Sequence, residues 1–176
     1  MRRKTKETDI TVELGVEGEI KTGDRVFDHM LTTLFFYMRR EVTIAATWDL
    51  RHHLWEDTGI VLGEALRREI EKRRIARFGN AIVPMDDTLV LVAVDISRPY
   101  LNFDMEFKEN ENGFEPTLLR EFLWAMARSL KATIHVKQLA GVNAHHTMET
   151  TFKALGRALE MALREVERLE STKGEL

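Results

Sequence analysis

His52-His53-Leu54-Trp55-Glu56 and His145-His146-Thr147-Met148-Glu149 share one pattern, H-H-x-x-E, and hold four of the chain's six histidines. On a helix the first His and the Glu lie four residues apart and share a face, while the second His points about 100° away. One copy can therefore offer an imidazole and a carboxylate to one metal ion, and a second imidazole to a neighbouring ion. Neutral imidazole suits Mn, Fe, Co, Ni and Zn, and an added carboxylate favours the harder of these. The bland alternative is two surface helix starts with acids in their early turns. It leaves the doubled spacing unexplained.

Working outward, each copy sits in the same context. Before the first, Val42, Ile44, Ala46 and Trp48 alternate as a strand, and residues 28–40 read as a buried helix rich in Met, Leu and Phe. Earlier still, Ile10, Val12 and Leu14 mark a strand, and Glu19-Ile20-Lys21 a second short one. The helix carrying the motif is predicted over residues 53–73, with Leu62, Leu66 and Ile70 on its buried side. Residues 78–84 read as a connection.

The order then restarts. Residues 87–96 are β-rich, and Leu101, Phe103, Met105 and Phe107 alternate. After a polar loop at 108–116 come a helix at 118–130, a strand at 133–139 and a last helix at 144–170. Met148, Phe152, Leu155, Leu159 and Val166 form the apolar stripe of that last helix. The fold class is thus α/β, more closely an α+β sandwich: two β-β-α-β-α halves, with helices packed on one face of each sheet. Residues 1–84 and 85–176 are expected to be the repeats of one compact domain.

The duplication exposes one further residue. His29 precedes His52 by 23 residues on the earlier helix, and Glu121 precedes His145 by 24 on its counterpart. Glu121 is therefore the expected equivalent of His29, because a carboxylate can fill a ligand position that an imidazole fills elsewhere. Ligands from four helices are thus expected to converge in two related sets.

Composition limits the alternatives. The chain has 176 residues, 44% of them hydrophobic and 31% charged, which is ordinary globular material. A net charge of -3 argues neither for a nucleic-acid binder nor for a membrane-surface protein, and neither partner is expected. No stretch approaches the roughly 18 apolar residues of a membrane span. The basic start, Met1-Arg2-Arg3-Lys4, has no apolar run after it and is not a secretory signal. With no cysteine there is no disulfide frame or thiolate zinc site, which fits a cytoplasmic location.

These residues resemble the imidazoleglycerol-phosphate dehydratase family over nearly the whole chain. The start from Arg3 to Thr8 resembles its R-x-T-x-E-T, and Thr22-Gly23 with Phe27-Asp28-His29-Met30-Leu31 its T-G…F-D-H-M-L. His52 to Asp57 matches H-H-x-x-E-D. Arg77-Phe78-Gly79 with Pro84-Met85-Asp86 matches R-F-G…P-M-D. Ser97-Arg98-Pro99-Tyr100 resembles S-G-R-P-Y without its glycine. Gly141 to Ala154 covers the second metal motif, and Ser171-Thr172-Lys173-Gly174 is similar to the family's tail.

The resemblance implies dehydration of D-erythro-imidazole-glycerol phosphate to imidazole-acetol phosphate in histidine biosynthesis. It implies two manganese ions per site with the substrate imidazole between them. The ligands would be His29, His52, His53, Glu56, His145, His146 and Glu149, with Glu121 where the family usually has a His. Glu7, Glu149 and Asp86 would supply the catalytic carboxylates, with Glu7 also orienting substrate. Arg77, Arg98, Lys153, Ser171 and Lys173 match phosphate-binding positions, where arginine's fork suits phosphate oxygens. Family members form trimers that pack into a 24-subunit shell with sites at subunit interfaces, so a homo-oligomer is expected. Thr33 and Tyr37 stand where the family has Gln and His. His135, in a β-rich run, is expected to be structural. Two other readings share the metals: a di-metal hydrolase acting on a phosphorylated small molecule, and an inactive metal-assembled shell.

Overall fold

The computed structural model describes residues 1–107 and 113–168. Its first half runs β1 (Arg2–Lys4), β2 (Thr8–Leu14), β3 (Ile20–Lys21), α1 (Arg25–Met38), β4 (Val42–Trp48) and α2 (Arg51–Ile70). Its second runs β5 (Phe78–Met85), β6 (Thr88–Ile96), β7 (Tyr100–Asp104), α3 (Pro116–Leu130), β8 (Ala132–Ala140) and α4 (Ala144–Ala162). The sheet orders are β1-β2-β4-β3 and β5-β6-β8-β7, so the two halves share one topology. In each, the first two pairings are antiparallel and the last is parallel.

Period-two patterning decides which way each sheet faces. Ile10, Val12 and Ile44 in one sheet, and Val90, Val92, Val94, Ile134 and Val136 in the other, are buried against helices. Helices α1 and α2 pack on the first sheet, α3 and α4 on the second, and the pairs α1/α4 and α2/α3 join across the middle. Two sheets thus enclose one helical layer and one continuous core. Phe27 stacks on Trp55 at 4.0 Å between ring centroids, and Trp55 meets Phe122 and Phe152 edge-on, so each of the four helices gives one ring to the centre.

Local chemistry starts and stops these helices. Asp24 caps α1 by accepting from the backbone N–H of Val26 and Phe27, and Asn143 caps α4 by accepting from that of His146. Both α1 and α3 end in a left-handed residue, Arg39 at φ 56° and Lys131 at φ 59°.

Two sequence expectations are corrected, and one strand is added. The segment read as a connection is β5, so each half carries three strands before its first helix, and the expected division at 84 and 85 falls on the last two residues of that strand. β5 is an edge strand, where Pro84 loses no ladder bond, and its outward residues include the exposed Phe78 and Ile82, which blur the alternation. The basic N-terminus forms β1, with Arg3 paired to Asp57. The last helix stops at Ala162 rather than reaching 170: Arg164 and Val166 turn aside to exchange backbone hydrogen bonds with Ala76 and Arg74.

Candidate functional site: two helix-borne His/Glu sets

His29, near the start of α1, and His145 and Glu149, in the first turns of α4, form one group. Their ligand atoms all lie within 4.8 Å of one another, the one such metal-compatible group among the described residues. Glu149 Oε2 is 3.3 Å from His29 Nε2 and 3.1 Å from His145 Nε2. Phe114 stacks on the His145 ring at 4.6 Å and fixes its plane. Burial pushes the Glu149 carboxyl up, but hydrogen bonds from Lys153 and His29 outweigh it and the net shift is downward. Glu149 is held ionised, the form that ligates metal.

The other motif gives a partial set. His52 Nε2 lies 3.8 Å from Glu56 Oε2 on α2, and Glu56 also meets Arg128 of α3 at 3.4 Å. Glu121 does not close with them in this conformation, since no second group of three metal-compatible donors forms among the described residues.

Helix packing nevertheless gives Glu121 the register on α3 that His29 has on α1. A Cβ on Gly156 of α4 would meet Leu34 O, Tyr37 Cβ and Met38 N of α1. A Cβ on Gly63 of α2 would meet Met126 O, Ser129 Cβ and Leu130 N of α3. Each pair of corresponding contacts is 92 residues apart, as are His29 and Glu121, and both glycines lie seven residues after their motif glutamate.

The second histidine of each motif is oriented by an acid. His53 Nδ1 lies 2.7 Å from Asp49 Oδ1, and His146 Nδ1 lies 2.7 Å from Asp87 Oδ1. A carboxylate accepts only, so the ring proton sits on Nδ1 and Nε2 keeps its lone pair, the arrangement a metal-binding imidazole needs. Sequence reading missed both acids, although Asp49 stands four residues before His53 and offered a signal. A further acid approaches each ring: Glu7, on the β1–β2 turn, is 3.9 Å from His53 Nδ1, and Asp86, on the β5–β6 turn, is 3.6 Å from His146 Nε2. Glu7 and Asp86 are thus counterparts too.

The expected phosphate ligands do not converge in one chain. Lys153 sits beside the first set, 2.9 Å from Glu149 and 3.2 Å from Met85 Sδ. Arg77 and Arg98 flank the far end of β6, whose nine residues at about 3.3 Å each separate them from Asp87. Arg77 pairs with Asp95 through two hydrogen bonds of 2.7 and 3.1 Å, while the Arg98 carbonyl accepts from Thr133. Ser171 and Lys173 lie outside the described residues. Thr33 is buried, and Tyr37 lies under Arg157 at 5.7 Å, so both serve packing in this chain. His135 is exposed on the outer sheet face beside Tyr100 and Asn102. Two clefts, of about 690 and 670 Å³, are lined without a histidine.

Imidazole and carboxylate donors gathered by helices of a duplicated α+β scaffold form a candidate metal centre. The comparisons make this specific. The family model for imidazoleglycerol-phosphate dehydratase matches residues 22–159, and the chain belongs to that family. It is 62% identical to the imidazoleglycerol-phosphate dehydratase of Pyrococcus furiosus over 177 residues, covering 100% of both chains. It is 46% identical to that of Acetivibrio thermocellus, covering 99% of this chain and 96% of the relative. The crystal structure of the Pyrococcus furiosus enzyme superposes with a TM-score of 0.96 at 61% identity over 100% of both chains. That of Staphylococcus aureus gives 0.83 at 33%, covering 94% of this chain and 98% of the other. The protein is a hydro-lyase of histidine biosynthesis acting on a small molecule. No helix among the described residues is long and apolar enough to cross a membrane.

Proposed function

We propose that this chain dehydrates D-erythro-imidazole-glycerol phosphate to imidazole-acetol phosphate, using two manganese ions per active site. The observation that carries the reading is the His29, His145 and Glu149 group, mirrored in helix register by Glu121, His52 and Glu56. The donor chemistry fits: imidazole and ionised carboxylate suit manganese, and carboxylate-oriented histidines are what such ions use. His53 and His146, each held at Nδ1 by Asp49 or Asp87, would complete ligand sets contributed by neighbouring subunits.

When bound, the ions supply positive charge that acidifies and holds the substrate imidazole. The protein supplies the rest. A carboxylate takes the C2 proton and passes it to the C3 hydroxyl, which leaves as water, and the resulting enol becomes the ketone as its hydroxyl proton moves to C3. Glu7 is the first candidate for that proton, with Asp86 and Glu149 as the others, since each stands beside a motif histidine. Lys153, Arg98 and Arg77, with Ser171 and Lys173, bind the phosphate. Because Arg77 and Arg98 lie at the far end of β6, we assign them to a site whose metal ligands belong to another subunit. That division supports an obligate oligomer, in our reading trimers assembled into a 24-mer, and a cytoplasmic location belongs to the same proposal.

Product analysis tests the reaction. Dehydration gives imidazole-acetol phosphate and no inorganic phosphate. Release of phosphate would support a di-metal hydrolase instead, and a folded, metal-loaded assembly with no turnover would mean an inactive shell.

A further inference from the structure

Among the described residues each motif carboxylate has one Lys or Arg against it, but the two cations come from opposite helices of their pairs. Glu149 takes Lys153 from its own helix at 2.9 Å. The matching position on α2, four residues after Glu56, is Ile60, which carries no charge. Glu56 instead takes Arg128 from α3, at 3.4 Å. The position on α1 that matches Arg128 by the 92-residue offset is Phe36, which is 74% exposed. The cation has changed helix while the carboxylate has kept one.

Arg128 reaches Glu56 from a half-exposed position beside the α2/α3 contact. Gly59 and Gly63 let α2 and α3 meet at backbone distance, where an added Cβ would lie 2.5 Å from Phe122 O and 2.8 Å from Met126 O. Trp124, one turn earlier on α3, receives the guanidinium 5.6 Å from its ring centroid. The contact to Glu56 uses Oε1, and Oε2 faces His52.

We infer that the two metal positions are chemically unequal and that Arg128 is the positioning residue that makes the second one workable. The inference rests on the two-metal reading above. The α1/α4 position offers two imidazoles and one carboxylate. By repeat register the α2/α3 position would offer one imidazole and two carboxylates, Glu56 with Glu121 brought in when an ion binds, and Arg128 would offset the extra negative charge. Harder ions prefer the carboxylate-rich set, whereas zinc gains more from imidazole. Manganese is therefore held by the α2/α3 position and given up first by the α1/α4 position.

The test is a competition on the assembled protein. Protein stripped by chelation is loaded with manganese and titrated with zinc, while bound manganese is counted by electron paramagnetic resonance and elemental analysis. The expected result is loss of manganese in two separated steps. Glu121→His should merge them. Arg128→Gln should weaken manganese binding at one class of position by about tenfold or more, the effect of removing a group that orients a ligand, with Arg128→Lys restoring most of it. A single step in the unaltered protein, or equal weakening at both classes in Arg128→Gln, overturns the inference. The unaltered protein decides even if a variant misfolds. Manganese-dependent dehydration with one-step exchange would remove this inference alone, while absence of manganese-dependent dehydration would remove the reading beneath it.

Discussion

Glu121 stands on α3 where His29 stands on α1: the two are 92 residues apart, and so are the residues that Gly63 and Gly156 touch on those helices. A carboxylate has replaced an imidazole at an equivalent place. If both ligate, His29→Ala and Glu121→Ala should each lower bound manganese from two ions per chain to about one. Elemental analysis of the purified variants checks this, and unchanged metal content in Glu121→Ala would exclude it as a ligand.

The acids behind the second histidines should matter nearly as much as the histidines. Asp49→Ala removes the partner that fixes His53, and metal affinity should fall about 10- to 100-fold by calorimetric titration. Asp87→Ala should do the same at His146. It should also loosen the entry to α4, because Asp87 accepts from the backbone N–H of Val142 and Asn143.

Protons should compete with metal at His53. Its pKa is raised above the ordinary 6.5, first by the hydrogen bond to Asp49, then by the charges of Glu7 and Asp49 against a burial penalty. A raised folded-state pKa stabilises the metal-free protein below the unfolded value, and that contribution is lost as pH rises through the folded one. Metal needs the neutral ring, so the dependence of binding runs the other way: affinity falls as pH drops through the raised pKa. Manganese titrations across pH 6 to 8 should show this loss beginning above the ordinary histidine range. Asp49→Ala should move it to lower pH.

Close helix packing sets the spacing of each ligand pair. A Cβ at Gly156 would lie 2.5 Å from Leu34 O, a backbone atom that cannot step aside. Gly156→Ala should cost about 1–3 kcal/mol through overpacking. At roughly 2–4 °C per kcal/mol for a domain of this size, calorimetry would resolve the shift. Metal affinity should fall with it, because α1 moves relative to α4.

The exposed Arg98 should show its role in kinetics rather than stability. Arg98→Ala should raise KM for the phosphorylated substrate and leave the melting temperature unchanged. Arg77→Ala should raise KM and also destabilise, since it abandons Asp95. An unchanged KM in Arg98→Ala removes it from the phosphate site.

Much of this was legible in the chain. The repeated H-H-x-x-E and the spacing of His29 and Glu121 survive in sequence because a helix converts residue number directly into position. Strand β5 was hidden by Pro84 and by apolar side chains on both of its faces. The end of α4 was hidden because Arg164 and Val166 leave it for partners some 90 residues away, at Arg74 and Ala76. Arg128 and Asp87 escaped notice for the same reason: their partners, Glu56 and His146, are remote in sequence. The separation of Arg77 and Arg98 from the histidines becomes visible only once β6 is seen to run between them.

The central claim is a two-manganese dehydratase, and the most direct measurement is turnover against metal equivalents. Chelator-stripped protein would receive manganese stepwise in the presence of imidazoleglycerol phosphate, with imidazole-acetol phosphate followed as product. The account predicts no product without metal and a rate that reaches its plateau at two manganese ions per chain. Product formed without metal, or a plateau at one ion, would contradict it.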